Sequence, residues 1–256
     1  MIYGETFIAL FDRACYNFFS QIRTGDRRMK LIIFDVYGTL ISTGTGSLDA
    51  AKKILALQDK DINPQEFYKE WKKQHRINMD NANVNLFINE EAIFICDLKQ
   101  LYLKYDICRD AGSDVNIMLD TLGKRKCFDE TLSSIENLRK KYRVVIGSTT
   151  DNKPLYQDLD RNRLVVDEVY TSEMIRKYKP DPEFYHYILR KEKCNKEDAV
   201  FVGDSYVDDI CGPGKVGMKT ILIDRQHNFQ CEKNELRPWR ITDSLENIME
   251  LVSEES

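Results

Sequence analysis

A chain of 256 residues, 42% hydrophobic and 31% charged, is long enough to bury a sizeable core, as one large domain or as a core with a smaller insertion. Its 38 basic and 42 acidic residues leave a formal charge of -4, with no excess of Lys and Arg to neutralise phosphates, which argues against a nucleic-acid binder. The 7 cysteines form no C-x-x-C pair and no apolar run nears the ~20 residues that span a bilayer, which excludes a disulfide framework, a zinc site and a membrane span and points to a reducing, cytoplasmic setting.

Residues 1–29 carry Phe7, Leu10, Phe11, Ala14, Phe18 and Ile22 at helical spacing, which predicts an amphipathic N-terminal helix. Asp12 and Arg13 interrupt the stretch, so it does not read as a signal-peptide core. Packing on the domain, a partner-binding role and a translation start at Met29 all stay open. The next stretch, LIIFDVYGTL, runs from Leu31 to Leu40 and reads as a strand buried on both faces, the habit of parallel sheets. Asp35 then sits at the strand's carboxyl end, where open α/β sheets place their ligands. An acid there, beside a Gly that lets backbone approach a ligand, suits a nucleophile or metal ligand.

After Leu40 the polar stretch STGTGS marks a domain boundary, and from residue 46 to 124 the pattern is helical. Asn63 is a candidate N-cap with Pro64 at the first helical position and Glu66 completing a capping box, and Phe67 and Trp71 face inward. A longer helix is predicted to carry Phe87, Ile88, Phe94, Ile95, Leu98, Leu101 and Tyr105 in one stripe. This region reads as a helical bundle inserted after the first strand.

From Asp129 helices and short apolar strands alternate, which means βαβ units and a parallel sheet. A helix with Leu132, Ile135 and Leu138 leads to the strand VVIG and the hydroxyls Ser148, Thr149 and Thr150. Asp151 is a candidate cap for the following helix, and a short strand is predicted near residues 164–166. Asp181 and Pro182 open another helix, AVFVGD repeats the device of a strand ending in an acid, a helix closes at Gly217, KTILID gives a strand, and a helix with Leu245, Ile248 and Leu251 ends the chain.

Asp35, Ser148, Lys179 and the group Asp204, Asp208 and Asp209 each follow a strand or its loop. Taken alone, a strand-end Ser is a cap, a Lys a solvated charge and an Asp a turn residue. Taken together and in this order, they resemble the haloacid dehalogenase superfamily, from Lys30 onward. FDVYGTL matches the first motif, with Asp35 as nucleophile; Ser148 matches the second, whose hydroxyl binds the transferred group; Lys179 in YKPDPEFY matches the third; GDSYVDD matches the fourth, with Asp204 as magnesium ligand and Asp208 or Asp209 in support. The resemblance implies an α/β fold, a Rossmann-like parallel sheet core flanked by helices (30–45 and 125–256) with an inserted α-helical cap (46–124) of subfamily I.

Position 37 divides the superfamily. Its phosphatases usually carry a second Asp there as general acid and base, and its 2-haloacid dehalogenases, which use no metal, carry Tyr. Tyr37 therefore resembles a dehalogenase, whereas Gly203-Asp204-Ser205 resembles a phosphatase. In the family this position gives Mg2+ its backbone carbonyl, so Asp35, the Tyr37 carbonyl and Asp204 remain a hard oxygen set suited to Mg2+. Without a cation the acids would repel one another and spoil the nucleophile. What Tyr37 should cost is acid–base catalysis, roughly 10²–10⁴-fold, unless Tyr37 or a cap residue donates the proton.

The reading is a Mg2+-dependent phosphatase acting on a small anionic substrate through an aspartyl phosphate, with no nucleic-acid or membrane partner and the oligomeric state open. Ser148 and Lys179 hold the phosphoryl oxygens. Thr39 either hydrogen-bonds near the nucleophile or ends the turn. Thr149 is a further substrate-binding candidate, although Thr149 and Thr150 read first as structural hydroxyls. A 2-haloacid dehalogenase using Asp35 against carbon is the alternative, and a non-catalytic phosphoryl-binding scaffold the second alternative. In the cap, EWKKQHR offers Lys72, Lys73, His75 and Arg76 either as a solvated helix face or as a cation that grips the substrate.

Overall fold

The computed structural model describes residues 30–84, 86–231 and 235–253; the helix expected within residues 1–29 lies outside them. The apolar run becomes strand β1 (Leu31–Phe34), with every residue buried. β1 lies in the middle of a six-stranded sheet of order β3-β2-β1-β4-β5-β6. The other strands are β2 (Arg143–Ser148), β3 (Glu168–Thr171), β4 (Ala199–Gly203), β5 (Lys219–Ile223) and β6 (Arg240–Thr242). All neighbours pair in parallel.

Alternate residues of the central strands feed two cores. Ile32, Phe34, Val144, Ile146, Val200 and Val202 belong to one cluster, and Leu31, Ile33, Val145 and Phe201 to another. Burial on both faces is why these strands read as continuous apolar runs. Strand order reverses at β1, so its carboxyl end opens on the crevice such sheets use for ligands.

Between β1 and β2 the chain forms α1 (Gly46–Leu55), α2 (Pro64–Val84), α3 (Glu90–Tyr105) and α4 (Ala111–Leu119). These pack around their own core, in which Trp71 meets Phe67 and Phe94 edge-on. At about 1.5–3 kcal/mol for each large apolar side chain fully buried, such a cluster holds a bundle together. The expected cap on α2 is present: Asn63 Oδ1 accepts from the amides of Gln65 and Glu66, at 2.9 and 3.2 Å. The two segments joining bundle and sheet run side by side, with the Ser42 amide donating to the Lys126 carbonyl at 2.9 Å.

Helices α5 (Thr131–Arg139), α6 (Asn152–Asn162), α7 (Ser172–Ile175), α8 (Pro182–Glu192), α9 (Gly212–Val216) and α10 (Ile248–Ser253) complete the described fold. Among the described residues no helix is long and apolar enough to cross a membrane.

Two local expectations need correction. Residues 164–166 are not a strand. Leu164 and Val166 pack into the core as the chain leaves α6, and pairing with β2 begins only at Asp167, whose amide donates to the Val144 carbonyl while its carboxylate accepts from the Val144 amide, both at 2.8 Å. Phe87 and Ile88 precede α3 rather than belonging to it. Asn89 caps that helix, accepting from the Ala92 amide, and Phe87 packs with Tyr178 instead.

Candidate active site

The register aligns the chemistry. Phe34 lies beside Ile146 of β2 and Val202 of β4, so Asp35, Ser148 and Asp204 all emerge at the same edge of the sheet. Asp35 and Ser148 are buried, and solvent reaches Asp204. Lys179 arrives from the loop before α8 and is 1% exposed, with its Nζ 2.8 Å from Asp35 Oδ1 and 2.6 Å from Asp209 Oδ1. Burial would lower the Lys179 pKa, but the charges of Asp209 and Asp35 outweigh it and hold the ammonium well above its ordinary range.

Asp35, Asp204 and Asp209 each offer a carboxylate oxygen, all within 4.8 Å of one another. Glycine makes this closeness possible. Gly38 adopts φ +98, and a Cβ on it would fall 2.2 Å from Asp204 Oδ2; a Cβ on Gly203 would fall 2.3 Å from Asp209. Asp204 is further placed by Thr39, whose hydroxyl donates to it at 3.3 Å. Asp209 accepts from the Ser205 amide at 2.9 Å. Burial of its carboxyl, then the charge of Asp35, raises the Asp204 pKa to about 6. Three acids around one ammonium, supplied entirely with hard oxygens, fit a magnesium-sized cation.

Asp208 does not join this trio. Its carboxylate turns to the cap, where Arg76 of α2 grips it with two nitrogens, Nη1 at 2.9 Å and Nη2 at 2.6 Å. Of the two acids left open by the fourth motif, Asp209 is therefore the one inside the site.

Tyr37 lies on the loop that follows Asp35, but its phenol points away into a clamp. It donates to Asp158 Oδ2 at 2.9 Å, and the Arg125 guanidinium lies 4.4 Å from the ring centre. Burial, reinforced by the Asp158 charge, holds the phenol far above its ordinary pKa. As a proton donor its side chain is committed elsewhere. Ser148 is buried at the carboxyl end of β2, Thr149 is half-buried, and Thr150 donates to Glu90 Oε2 of the cap at 2.8 Å. Asp151 does not cap its own helix. Its two oxygens accept from the amides of Glu90 and Glu91, at 2.9 and 3.0 Å, at the start of α3.

A family model described as haloacid dehalogenase-like hydrolase matches residues 32–223. The chain belongs to this family. Over 243 residues, 90% of this chain and 95% of the other, it is 25% identical to a glyceraldehyde 3-phosphate phosphatase of Pyrococcus furiosus. Over 104 residues, 40% of this chain and 45% of the other, it is 30% identical to (S)-2-haloacid dehalogenase 4A of Burkholderia cepacia. Among solved structures, a magnesium-bound putative hydrolase of the superfamily from Bacillus subtilis superposes with a TM-score of 0.74 at 16% identity, over 89% of this chain and 100% of that one.

Within this haloacid dehalogenase-like hydrolase the EWKKQHR stretch divides by helix face. Lys72 and Lys73 are exposed, whereas His75 and Arg76 turn inward. Three features escaped the sequence: the Asp158 clamp on Tyr37, the Asp97–His75 pair in the cap at 2.7 Å, and the Glu90 contact with Thr150. Each joins residues far apart in the chain, and only the spacing of His75 and Arg76 on one helix gave any signal.

Proposed function

We propose that the protein is a Mg2+-dependent phosphatase acting on a small phosphorylated metabolite through an aspartyl phosphate. The observation that carries the reading is the trio of carboxylates, Asp35, Asp204 and Asp209, gathered within 4.8 Å. Attack on carbon without a metal gains nothing from two extra acids beside the nucleophile, whose negative charges repel its own and must be neutralised.

Asp35 attacks phosphorus in line, and the ester oxygen leaves with the bonding pair. Ser148 and Lys179 orient the remaining phosphoryl oxygens, and the Lys179 ammonium stabilises charge as it develops. Water then attacks the phosphorus of the acyl phosphate, releasing phosphate and restoring Asp35. Asp35, Asp204 and the Tyr37 carbonyl would hold the ion, with Asp209 beside them. When bound, Mg2+ supplies charge neutralisation that lets the nucleophile approach an anionic phosphoryl group. The cap excludes water from this chemistry and sets substrate choice.

A 2-haloacid dehalogenase is the second reading, favoured by Tyr37 and by the local likeness to the Burkholderia cepacia enzyme. A panel of phosphate esters, a triose phosphate included on the strength of the Pyrococcus furiosus relative, and of 2-haloacids separates the two. Phosphate release that needs Mg2+ and is lost in Asp35→Asn is the expected result. Halide release in chelator, with no phosphate from any ester, would overturn the reading.

A further inference from the structure

We propose that the proton for the leaving group comes from the cap, delivered by Glu90 from a store formed with His75 and Asp97. This rests on the phosphatase reading and fills the role that position 37 leaves open: the Tyr37 hydroxyl is already donating to Asp158 at 2.9 Å.

Glu90 is the first residue of α3 and is fastened to the loop that leaves β2. Its Oε2 accepts from the Thr150 hydroxyl at 2.8 Å, two residues beyond Ser148, and its own amide donates to Asp151 Oδ1 at 2.9 Å. Side chain and backbone together fasten this carboxylate to the segment that follows Ser148 at the carboxyl end of β2. Its charge also acts on Tyr37 and on Tyr178, which lie on the loops of the nucleophile and of Lys179.

Behind Glu90 stands His75, with Nε2 3.7 Å from Glu90 Oε1 and Nδ1 2.7 Å from Asp97 Oδ2. Asp97 is fully buried and also accepts from the Trp71 indole at 3.1 Å and from Asn78 at 2.7 Å, while the imidazole stacks on Phe94 at 4.7 Å. A buried Asp on Nδ1 sets the tautomer and turns Nε2 toward Glu90, the orienting arrangement of a general acid–base histidine. Burial would discharge the ring, but Asp97 and Glu90 raise its pKa to about 9. His75 Nε2 and Glu90 Oε1, 3.7 Å apart, are thus placed for a proton to pass from one to the other.

The step balances. As the Asp35 oxygen bonds to phosphorus, the P–O ester bond breaks and its electron pair goes to the leaving oxygen. That oxygen takes the proton from Glu90, which draws on His75. In the second step the attacking water gives a proton back to the pair as phosphate departs.

A role confined to docking the cap would lower all substrates alike, so the test is leaving-group dependence. kcat/KM of the full-length protein with Mg2+ is measured over substituted phenyl phosphates, from p-nitrophenyl to phenyl, and an alkyl phosphate. Glu90→Gln keeps an acceptor for Thr150 and removes the acid. Its deficit should stay within about threefold on p-nitrophenyl phosphate, whose leaving group needs no proton, and grow to about 10²-fold or more on alkyl phosphate. His75→Gln, which leaves Glu90 in place, should show the same trend and decides the matter if Glu90→Gln fails to fold. A deficit equal across the series overturns the proposal while leaving the phosphatase reading intact. Absence of phosphate release by the wild-type protein from every ester overturns both.

Discussion

Among the described residues Lys179 is the single cation inside the cluster of acids, so Lys179→Met should be costly in a predictable way. Its ammonium, 1% exposed, lies 2.8 Å from Asp35 and 2.6 Å from Asp209. Removing one partner from a buried pair leaves uncompensated charge and costs about 3–5 kcal/mol. For a chain of this size each kcal/mol moves Tm by about 2–4 °C, so the variant should melt about 6–20 °C below wild type at pH 8 in chelator. The penalty should shrink in acid. Asp204 already has its pKa raised to about 6 in the folded protein, so its favourable contribution is complete below the unfolded value near 4 and is lost as pH rises through about 6. Without the ammonium, Asp209, whose burial already holds its carboxyl well above the ordinary range, would follow the same rule, and the gap to wild type should narrow from pH 8 to pH 4. Added Mg2+ should raise the variant's Tm more than that of wild type. Scanning calorimetry reads all three effects. A variant melting within 2 °C of wild type at pH 8 in chelator would refute the claim that this ammonium holds the acids together.

Two contacts between cap and core give further expectations. Asp151→Ala removes both acceptors for the first amides of α3 and should cost about 1–2 kcal/mol, seen as faster hydrogen exchange at Glu90 and Glu91. Burial of Asp151 raises its pKa to about 6, so its contribution is likewise present in acid and lost as pH rises through that value; the wild-type decline in Tm between pH 4 and pH 8 should be shallower in the variant. Arg76→Ala breaks the pair with Asp208, whose side chains are 32% and 16% exposed, so the loss of global stability should stay near 1 kcal/mol. Protease sensitivity of the segments joining cap and core should nevertheless rise, and an unchanged digestion rate would count against the pair as a fastening.

How far the residues alone predict the structure depends on whether a feature is local. Asp35, Ser148 and Asp204 stand at the ends of strands whose apolar runs mark them as central, and parallel pairing brings strand ends together without further information. The same holds for Asn63 and Asp181, whose capping requires only residues two or three positions away. Asp151 shows the limit. It follows a strand and precedes a helix, which predicts a cap, yet its carboxylate serves a different helix 60 residues earlier in the chain. Asp208 and Asp209 show it again. Adjacent in sequence and alike in chemistry, they diverge because the π-helical turn Tyr206–Cys211 points one at Lys179 and the other at the cap. β6 is only 3 residues long at the edge of the sheet, too short for its pattern to rise above the surrounding loop.

The fastenings of the cap follow an order that bears on function. Arg76 holds the loop carrying Asp204 and Asp209. Asn83 exchanges two hydrogen bonds with the Tyr178 backbone, at 2.7 and 3.0 Å, beside Lys179. The Tyr178 hydroxyl donates to the Ile88 carbonyl at 2.9 Å, and its ring stacks on Phe87. Glu90 holds the loop carrying Ser148. The first loop, with Asp35, runs directly into the segment that becomes α1. Each of the four loops that compose the site is thus tied to the cap, three by side chains and one by the chain itself. At about 1 kcal/mol for a typical net hydrogen bond, the eight named between cap and core amount to several kcal/mol. Any movement of the cap away from the sheet would therefore have to break its contacts with the loops of Ser148, Lys179 and Asp204 together. The loops have little reason to hold this arrangement singly, so the buried Asp35 and the residues around it keep their geometry while the contacts with the cap are made.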